Sequence, residues 1–444
     1  MGHSSTDFTL DGEFTMSSRL KTACFVMMAI GAISLAATFV VDSQPDHVRF
    51  WSNILHNAVF FTGISAMALF ALTAFISAWA GWFATIKRLF EAYALFLLTG
   101  FILMLIMAVG VWMHWHHLYH WADASTLDSA SPNYDEILVG KSSFLNPTVY
   151  TFLGVGAIGV WYFIAKMIRN LSLAEDNSSA LDHSYHKKMR IWSAAYLPIA
   201  GFTIPAAVWL FIMSVDAHWY STLFAWYNMA GWFVTFCAFT ILTIIYLKGK
   251  GFLQNVTQEH LHDLGKYMFG FSVFWTYCWF SQYMLIWYGN VGEETIYFRE
   301  RLDSFPVLFY ANLVINFLVP FFILMRNDTK RKYGTLIFTS VVLIFGHWID
   351  MFLMLKPGIL KTAMEHAAHA EGGDHGAHHA HDVTNHAEHA IGFVSGFTIP
   401  GFLEIGTFVG FLGLFLFLFF SRLSSAKLQP QNDPYMMESV THHT

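Results

Sequence analysis

Hydrophobic residues in this chain come in blocks of about 20, separated by short polar stretches, with no strict alternation and no narrow apolar stripe. At about 1.5 Å of rise per residue, a helical block of that length crosses a hydrocarbon core of roughly 30 Å. Ten such blocks are expected as transmembrane helices, over residues 20–41, 54–78, 89–113, 148–170, 192–214, 223–247, 267–289, 305–325, 334–355 and 398–420. A membrane barrel would instead alternate over strands of about ten residues. The pattern therefore predicts an all-α integral membrane protein, with a tail over 1–19, a membrane domain over 20–425 and a second tail over 426–444.

Composition agrees, because 12% charged residues and 55% hydrophobic residues are far from the roughly 25% charge of soluble domains. The first residues carry Asp7, Asp11 and Glu13 where a cleaved signal would be basic, so the first block is expected to remain as a span. "MGHSST" fits the short N-myristoylation pattern through Gly2 and Thr6, although a ten-span chain needs no lipid anchor. Cys24, Cys237 and Cys278 all fall inside spans without CxxC spacing. They are read as small packing residues, so this chain is expected to ligate no iron-sulfur cluster and no c-type haem.

Charge sets the orientation. If both termini are cytoplasmic, all but six of the 24 Lys and Arg lie on inner segments, the six being Arg49, Lys141, Arg299, Arg301, Lys356 and Lys361. Most of the 23 histidines then fall on the outer side. "MHWHHLYHW" puts His114, His116, His117 and His120 at the outer boundary, where water solvates them and where a partner protein would dock. A dipeptide, His-Trp, recurs at 114–115, 218–219 and 347–348, a weak sign of two duplicated four-helix units. The outer loop over 357–397 holds a histidine run at 366–389 among Ala, Gly, Asp and Glu, a composition that cannot build a core. Ligands spaced irregularly along such a loop make at best a weak metal site, so no dedicated metal centre is expected. No motif such as HExxH supports a metal transporter.

Depth separates bland polar residues from candidates, since an ionisable group in hydrocarbon costs at least roughly 2.5–3.5 kcal/mol and needs a partner. His347 is expected about 14 residues, or roughly 20 Å, into its span, with Asp350 on the same face. Glu404 follows Pro400 in the last span, where the proline is expected to bend the helix. His56 and Asp216 sit nearer the outer rim, Asn312 and Asn316 share a face, and Glu91 reads as an inner-surface ion pair with Lys87 and Arg88. The aromatic run "FWTYCWFSQYMLIWYGN" could stack on a quinone ring or simply pack.

Four stretches carry a resemblance: "RFWSNILHNAVFFTGISAMALF" from Arg49, "STLFAWYNMAGWFVTF" from Ser221, "HDLGKYMFGFSVFWTYCWFSQYMLIWYGNVGEETIYFRER" from His262 and "GHWIDMFLMLKPG" from Gly346. They resemble the ActF-type membrane subunit of bacterial alternative complex III, a quinol:cytochrome c or high-potential-carrier oxidoreductase, over about residues 17–425. The resemblance implies an NrfD/PsrC-like fold of ten helices, two four-helix bundles and two peripheral helices, in the bacterial inner membrane. It implies a paralogous NrfD-like membrane subunit, an iron-sulfur protein, multihaem and monohaem c-type cytochromes and other small membrane subunits as partners, with a terminal oxidase and membrane lipid beyond them and no nucleic acid. In that family the paralogue is the better candidate for quinol oxidation, and this type of chain is named as a menaquinone- or quinone-binding subunit. The histidine run is not part of the family pattern. The expected function is proton transfer or quinone binding through His347, Asp350, Glu404, His56 and Asp216, without a redox centre of its own. The alternative is a structural scaffold that anchors the outer cytochromes.

Overall fold

A computed structural model describes residues 11–42, 45–131, 133–179, 182–370 and 396–443. Gly2 and Thr6, and the histidine run from residue 371 onward, lie outside the described residues. The chain is all-helical, and strand-like pairing among the described residues is limited to isolated bridges such as that between Glu13 and Lys427.

The long helices are α1 (Ser18–Val41), α2 (Val48–Ser77), α3 (Ala84–Trp112), α4 (Pro147–Asp176), α5 (Ser184–Val215), α6 (Leu223–Gly249), α7 (Gln258–Gly289), α8 (Pro306–Leu324), α9 (Tyr333–Met364) and α10 (Phe402–Leu423). Among the described residues, nine are long and apolar enough to cross a membrane. The exception is α7, which forms as a 32-residue helix but mixes Tyr, Trp, Ser and Gln into its apolar run. Its Trp275, Cys278 and Gln282 face inward, while Tyr277, Phe280, Trp287 and Tyr288 are exposed, so the aromatic run serves both faces.

Burial places the centre at α2 and α6, whose apolar windows are each 83% buried against 22% for α1. α2 touches α3, α5, α6 and α9, and α6 touches α7 and α9. α1 lies outside this core and packs along α10. Small residues allow that crossing: a Cβ added at Gly31 would lie 2.3 Å from the Cα of Gly410, one added at Gly406 would meet Ser34 Oγ at 2.1 Å, and one added at Gly413 would meet the Cys24 carbonyl at 2.9 Å. Backbone approach of this kind is how helices gain van der Waals contact in lipid, where the hydrophobic effect offers no drive between them.

Both terminal segments are tied to the same end of the bundle. Leu428 donates its N–H to the Gly12 carbonyl (3.1 Å), and the Asp11 N–H reaches Gln429 Oε1 (3.1 Å). Further on, Asn432 Nδ2 donates to the carbonyls of Glu175, Asp176 and Ser178 at 3.2, 3.2 and 2.8 Å, and Ser439 Oγ donates to the Trp82 carbonyl (2.6 Å).

Gly410→Val is expected to wedge α1 from α10 and destabilise the chain by about 1–3 kcal/mol, read as a lower unfolding midpoint in detergent. Gly201→Ala, inside a helix at a site where an added Cβ meets nothing within 4 Å, is the control and should not lower the midpoint. Equal effects at the two sites would contradict the close crossing.

Candidate functional site

Helix α9 organises the buried polar groups because it presents them on two faces. One face carries His347 and Asp350 toward α6, α7 and α8; the other carries Trp348 and Lys356 toward α2 and α10. The helix runs past its expected end at 355, so His347 lies near its middle rather than toward the outer rim. That also separates the three His-Trp pairs: 114–115 and 218–219 fall beyond helix ends, whereas 347–348 is deep inside one.

Asp350 is 2% exposed and accepts hydrogen bonds from the Tyr227 hydroxyl, from Trp275 Nε1 (3.0 Å) and from Asn312 Nδ2 (2.6 Å). Asn316 Nδ2 continues the chain to Asn312 Oδ1 (2.5 Å). The two asparagines come into line through a π-helical turn at Val314–Leu318; Pro320 lacks the N–H that the Asn316 carbonyl would take, and the turn absorbs the defect. Asn316 Oδ1 accepts no hydrogen bond, and it reaches so close to Gly346 that an added Cβ would lie 2.2 Å away. Among the described residues no Lys or Arg pairs with Asp350. The basic group that does approach it is His347, whose Nδ1 is 3.9 Å from Oδ2. His347 packs edge-on to Trp275 and against Gly231, where an added Cβ would lie 3.1 Å from Nδ1. Neither of its ring nitrogens makes a hydrogen bond. An uncompensated carboxyl beside an imidazole with both nitrogens open is an arrangement suited to exchanging protons, since the two groups can share one proton over a short path.

Glu404 belongs to a separate, fully paired cluster. Pro400 precedes α10 rather than kinking it, and Glu404 sits in the first turn, where it accepts the Gly401 N–H (3.0 Å). Arg49 grips both carboxylate oxygens (2.8 and 3.0 Å), and Asn53 Nδ2 adds a third donor (3.1 Å). Asn53 Oδ1 and Ser52 Oγ each take Lys356 Nζ at 2.6 Å. His56 joins α2 to α9 by donating Nε2–H to the Trp348 carbonyl (2.9 Å), which fixes its tautomer. Arg49 and Lys356 were expected as outer charges; Arg49 is the partner that buried Glu404 requires, and Lys356 joins the same cluster through Asn53.

Asp216 has a similar partner in Arg301 (2.9 Å), another residue counted as an outer charge and in fact 2% exposed. Arg301 explains why α9 survives Pro357. The proline cannot donate to the Leu353 carbonyl, and Arg301 Nε supplies that bond (3.1 Å) while Nη2 serves Met354 (3.1 Å). Gly358 leaves room for Asp216, whose Oδ1 would be 2.7 Å from an added Cβ. A cavity of about 20 Å³, lined in part by Tyr227, Tyr297, Arg301 and Asp350, lies between this pair and Asp350. Of the five residues expected to form one path, two meet directly at 347 and 350, Asp216 borders them through Arg301, and Glu404 with His56 stands on the other face of α9.

The four histidines expected at the outer boundary divide too. His114 is exposed, His117 pairs with Asp46 (2.7 Å), and His120 lies 4.0 Å from Asp135. Asp135 also receives His218 Nε2 (2.5 Å). Burial alone would raise the Asp135 carboxyl, but His218 and the N–H groups of Leu138 and Ile137 together hold it below the usual range. His116 departs from expectation: it is 3% exposed, turned back onto the Met107 carbonyl (3.2 Å) and against Trp51, and so presents nothing to a partner. Gly110 makes this fold-back possible, since an added Cβ would lie 2.6 Å from His116 Nε2.

Two features lie apart from these groups. Glu91 is an ion pair as expected but a buried one, held by Arg169 (2.7 Å) and Arg88 (3.7 Å). A cavity of about 740 Å³ is an apolar groove between α2, α6 and α7 lined by Met67, Phe70, Phe233, Tyr267 and Phe271 among others. Its size suits a lipid or an isoprenoid chain. It passes Ala230, next to the Gly231 that backs His347, but no residue of the Asp350 cluster lines it. Comparison with known proteins finds no family whose model matches this chain and no curated protein that matches it.

Burial pushes the His116 imidazole down to about 4, so it stays neutral in the fold while an unfolded chain titrates near 6.5. The unfolded state then binds the extra proton, and about 3 kcal/mol of stability present above pH 6.5 should drain away as pH falls toward 4. His116→Asn should flatten that pH dependence of the unfolding midpoint; an unchanged slope would contradict the burial. Arg301→Met should destabilise the chain by about 1–3 kcal/mol, and by clearly less in a Pro357→Ala background, where the helix supplies its own donor to Leu353. Full additivity of the two substitutions would remove the proposed link.

Proposed function

We propose that this chain is a membrane subunit of a bacterial quinol oxidoreductase that passes electrons to a high-potential carrier. In this reading the chain holds no redox centre of its own and contributes proton transfer beside a quinone-reactive partner. The observation that carries it is Asp350: a carboxyl in the middle of a membrane-spanning helix, with three neutral donors, no cationic partner among the described residues, and an imidazole at 3.9 Å with both nitrogens open. A residue held so expensively in hydrocarbon is a functional site by default. Tyr227, the 20 Å³ cavity and the Arg301–Asp216 pair would continue the path toward the rim. The 740 Å³ groove is the best candidate for a quinone or lipid tail.

The sequence resemblance to ActF-type subunits supports the wider setting. It comprises ten helices with both termini cytoplasmic, two four-helix bundles plus two peripheral helices, and residence in the bacterial inner membrane. The partners would be a paralogous NrfD-like subunit, an iron-sulfur protein and c-type cytochromes. The mutual packing of α2 to α5, the packing of α6 to α9, and the separate α1–α10 pair favour that grouping. A structural scaffold is the second reading. It is favoured by Glu404, Asp216 and His56, each of which is engaged in a fixed contact that ties helices together.

Replacing Asp350 by Asn and His347 by Gln, in the assembled complex, should slow quinol-driven proton release and turnover by at least about tenfold while the cytochromes still assemble. Normal turnover and proton release in the double variant would overturn the proton role and leave the scaffold.

A further inference from the structure

At the end of the bundle where the terminal segments dock, three metal-ligating side chains converge from different parts of the sequence. Glu175 comes from the last turn of α4, His186 from the first turn of α5, and Asp433 from the segment that follows α10. One donor atom from each lies within 4.8 Å of the other two, and Glu175 Oε1 is 3.6 Å from His186 Nδ1. The three are brought together by the α4–α5 hairpin and by Asn432, whose amide holds three carbonyls at the end of α4.

Two observations show that this cluster is unfinished. Glu175 is 1% exposed, yet neither of its carboxylate oxygens accepts a hydrogen bond, and His186 Nδ1 has no hydrogen-bond partner. Lys87 Nζ donates to Asp433 Oδ2 at 2.7 Å but stays 3.7 Å from Glu175. Charge points the same way. Around the cluster Lys87, Arg88 and Arg169 face Glu91, Glu175, Asp176 and Asp433, so with His186 neutral the buried set carries one excess negative charge. A buried carboxylate in that state calls for a cation.

We propose that Glu175, His186 and Asp433 bind one divalent transition-metal ion of the Zn²⁺ class, which clamps the C-terminal segment onto the α4–α5 hairpin. One imidazole and two carboxylates suit Zn²⁺ and leave a fourth position for water. Donors on a tetrahedral ion with bonds of about 2.1 Å lie roughly 3.4 Å apart, so the Glu175–His186 pair at 3.6 Å is already close to the required separation, and the Asp433 donor lies within 4.8 Å of both. Lys87 and the Tyr435 N–H, at 3.0 Å from Asp433 Oδ1, orient that carboxylate from behind.

The test uses the full chain purified in detergent, stripped by a strong chelator, reloaded with ZnCl₂ and dialysed. Metal is counted by mass spectrometry, and exposure of the C-terminal segment is read from the rate of trypsin cleavage after Lys427. The histidine run at 366–389 contributes the same background to every sample, so the difference between samples is what counts. Wild type should retain one more Zn²⁺ per chain than Glu175→Gln or His186→Ala, and removing it should speed cleavage after Lys427 by at least about tenfold. His186→Cys, which keeps a donor, should retain the ion and the protection. Equal metal content in wild type and His186→Ala overturns the proposal. If that variant does not fold, the wild-type chain decides: cleavage after Lys427 that ignores both chelator and Zn²⁺, or that follows pH alone as a protonated His186 would dictate, overturns it too.

Discussion

Arg301 donates to two carbonyls of α9 that Pro357 disturbs, and it does so while neutralising Asp216. Inside a membrane no water is at hand to do either job, so a backbone group or a charge must find its partner within the protein. The rest of the molecule obeys the same constraint. Pro320 is absorbed by a π-turn that aligns two asparagines, Glu404 is surrounded by Arg49, Asn53 and the Gly401 N–H, and Lys87, Arg88 and Arg169 meet Asp433, Asp176 and Glu91, leaving Glu175 as the excess carboxylate.

Against that background of paired groups, the Asp350–His347 site differs in kind. Its carboxyl is met by a hydroxyl, an indole and an amide, all neutral, and its imidazole is left open. Gly231 and Gly346 hold space around it, because a side chain at either position would strike His347 or Asn316. Helix α9 thus has two different faces, with structural ties to α2 and α10 on one and, on the other, the open carboxyl and imidazole to which we assign the proposed proton exchange.

The helices were legible because blocks of about 20 apolar residues have few other fates. That these polar residues are withdrawn from solvent was legible as well: His347, Asp350, Glu404, His56 and Asp216 are all mostly buried. What the sequence concealed was who pairs with whom. Pro357 reads as a helix end unless a distant arginine is known to serve the stranded carbonyl, so Lys356 was placed in a loop rather than in the core. A signal did exist for two of them, since a deep carboxylate usually takes a cation and Arg49 and Arg301, the partners of Glu404 and Asp216, were among the few expected on that side. His116 gave no such sign; its burial depends on Gly110 letting the chain fold back, a contact that no local pattern announces.

The central claim is that Asp350 gains or loses a proton during turnover. Infrared difference spectroscopy of the assembled complex, comparing resting and quinol-reduced states in H₂O and D₂O, reads this directly. The account predicts a deuterium-sensitive band of a protonated carboxylic acid that changes on reduction and disappears in an Asp350→Asn variant. A difference spectrum with the same carboxylic-acid bands in wild type and variant would contradict it.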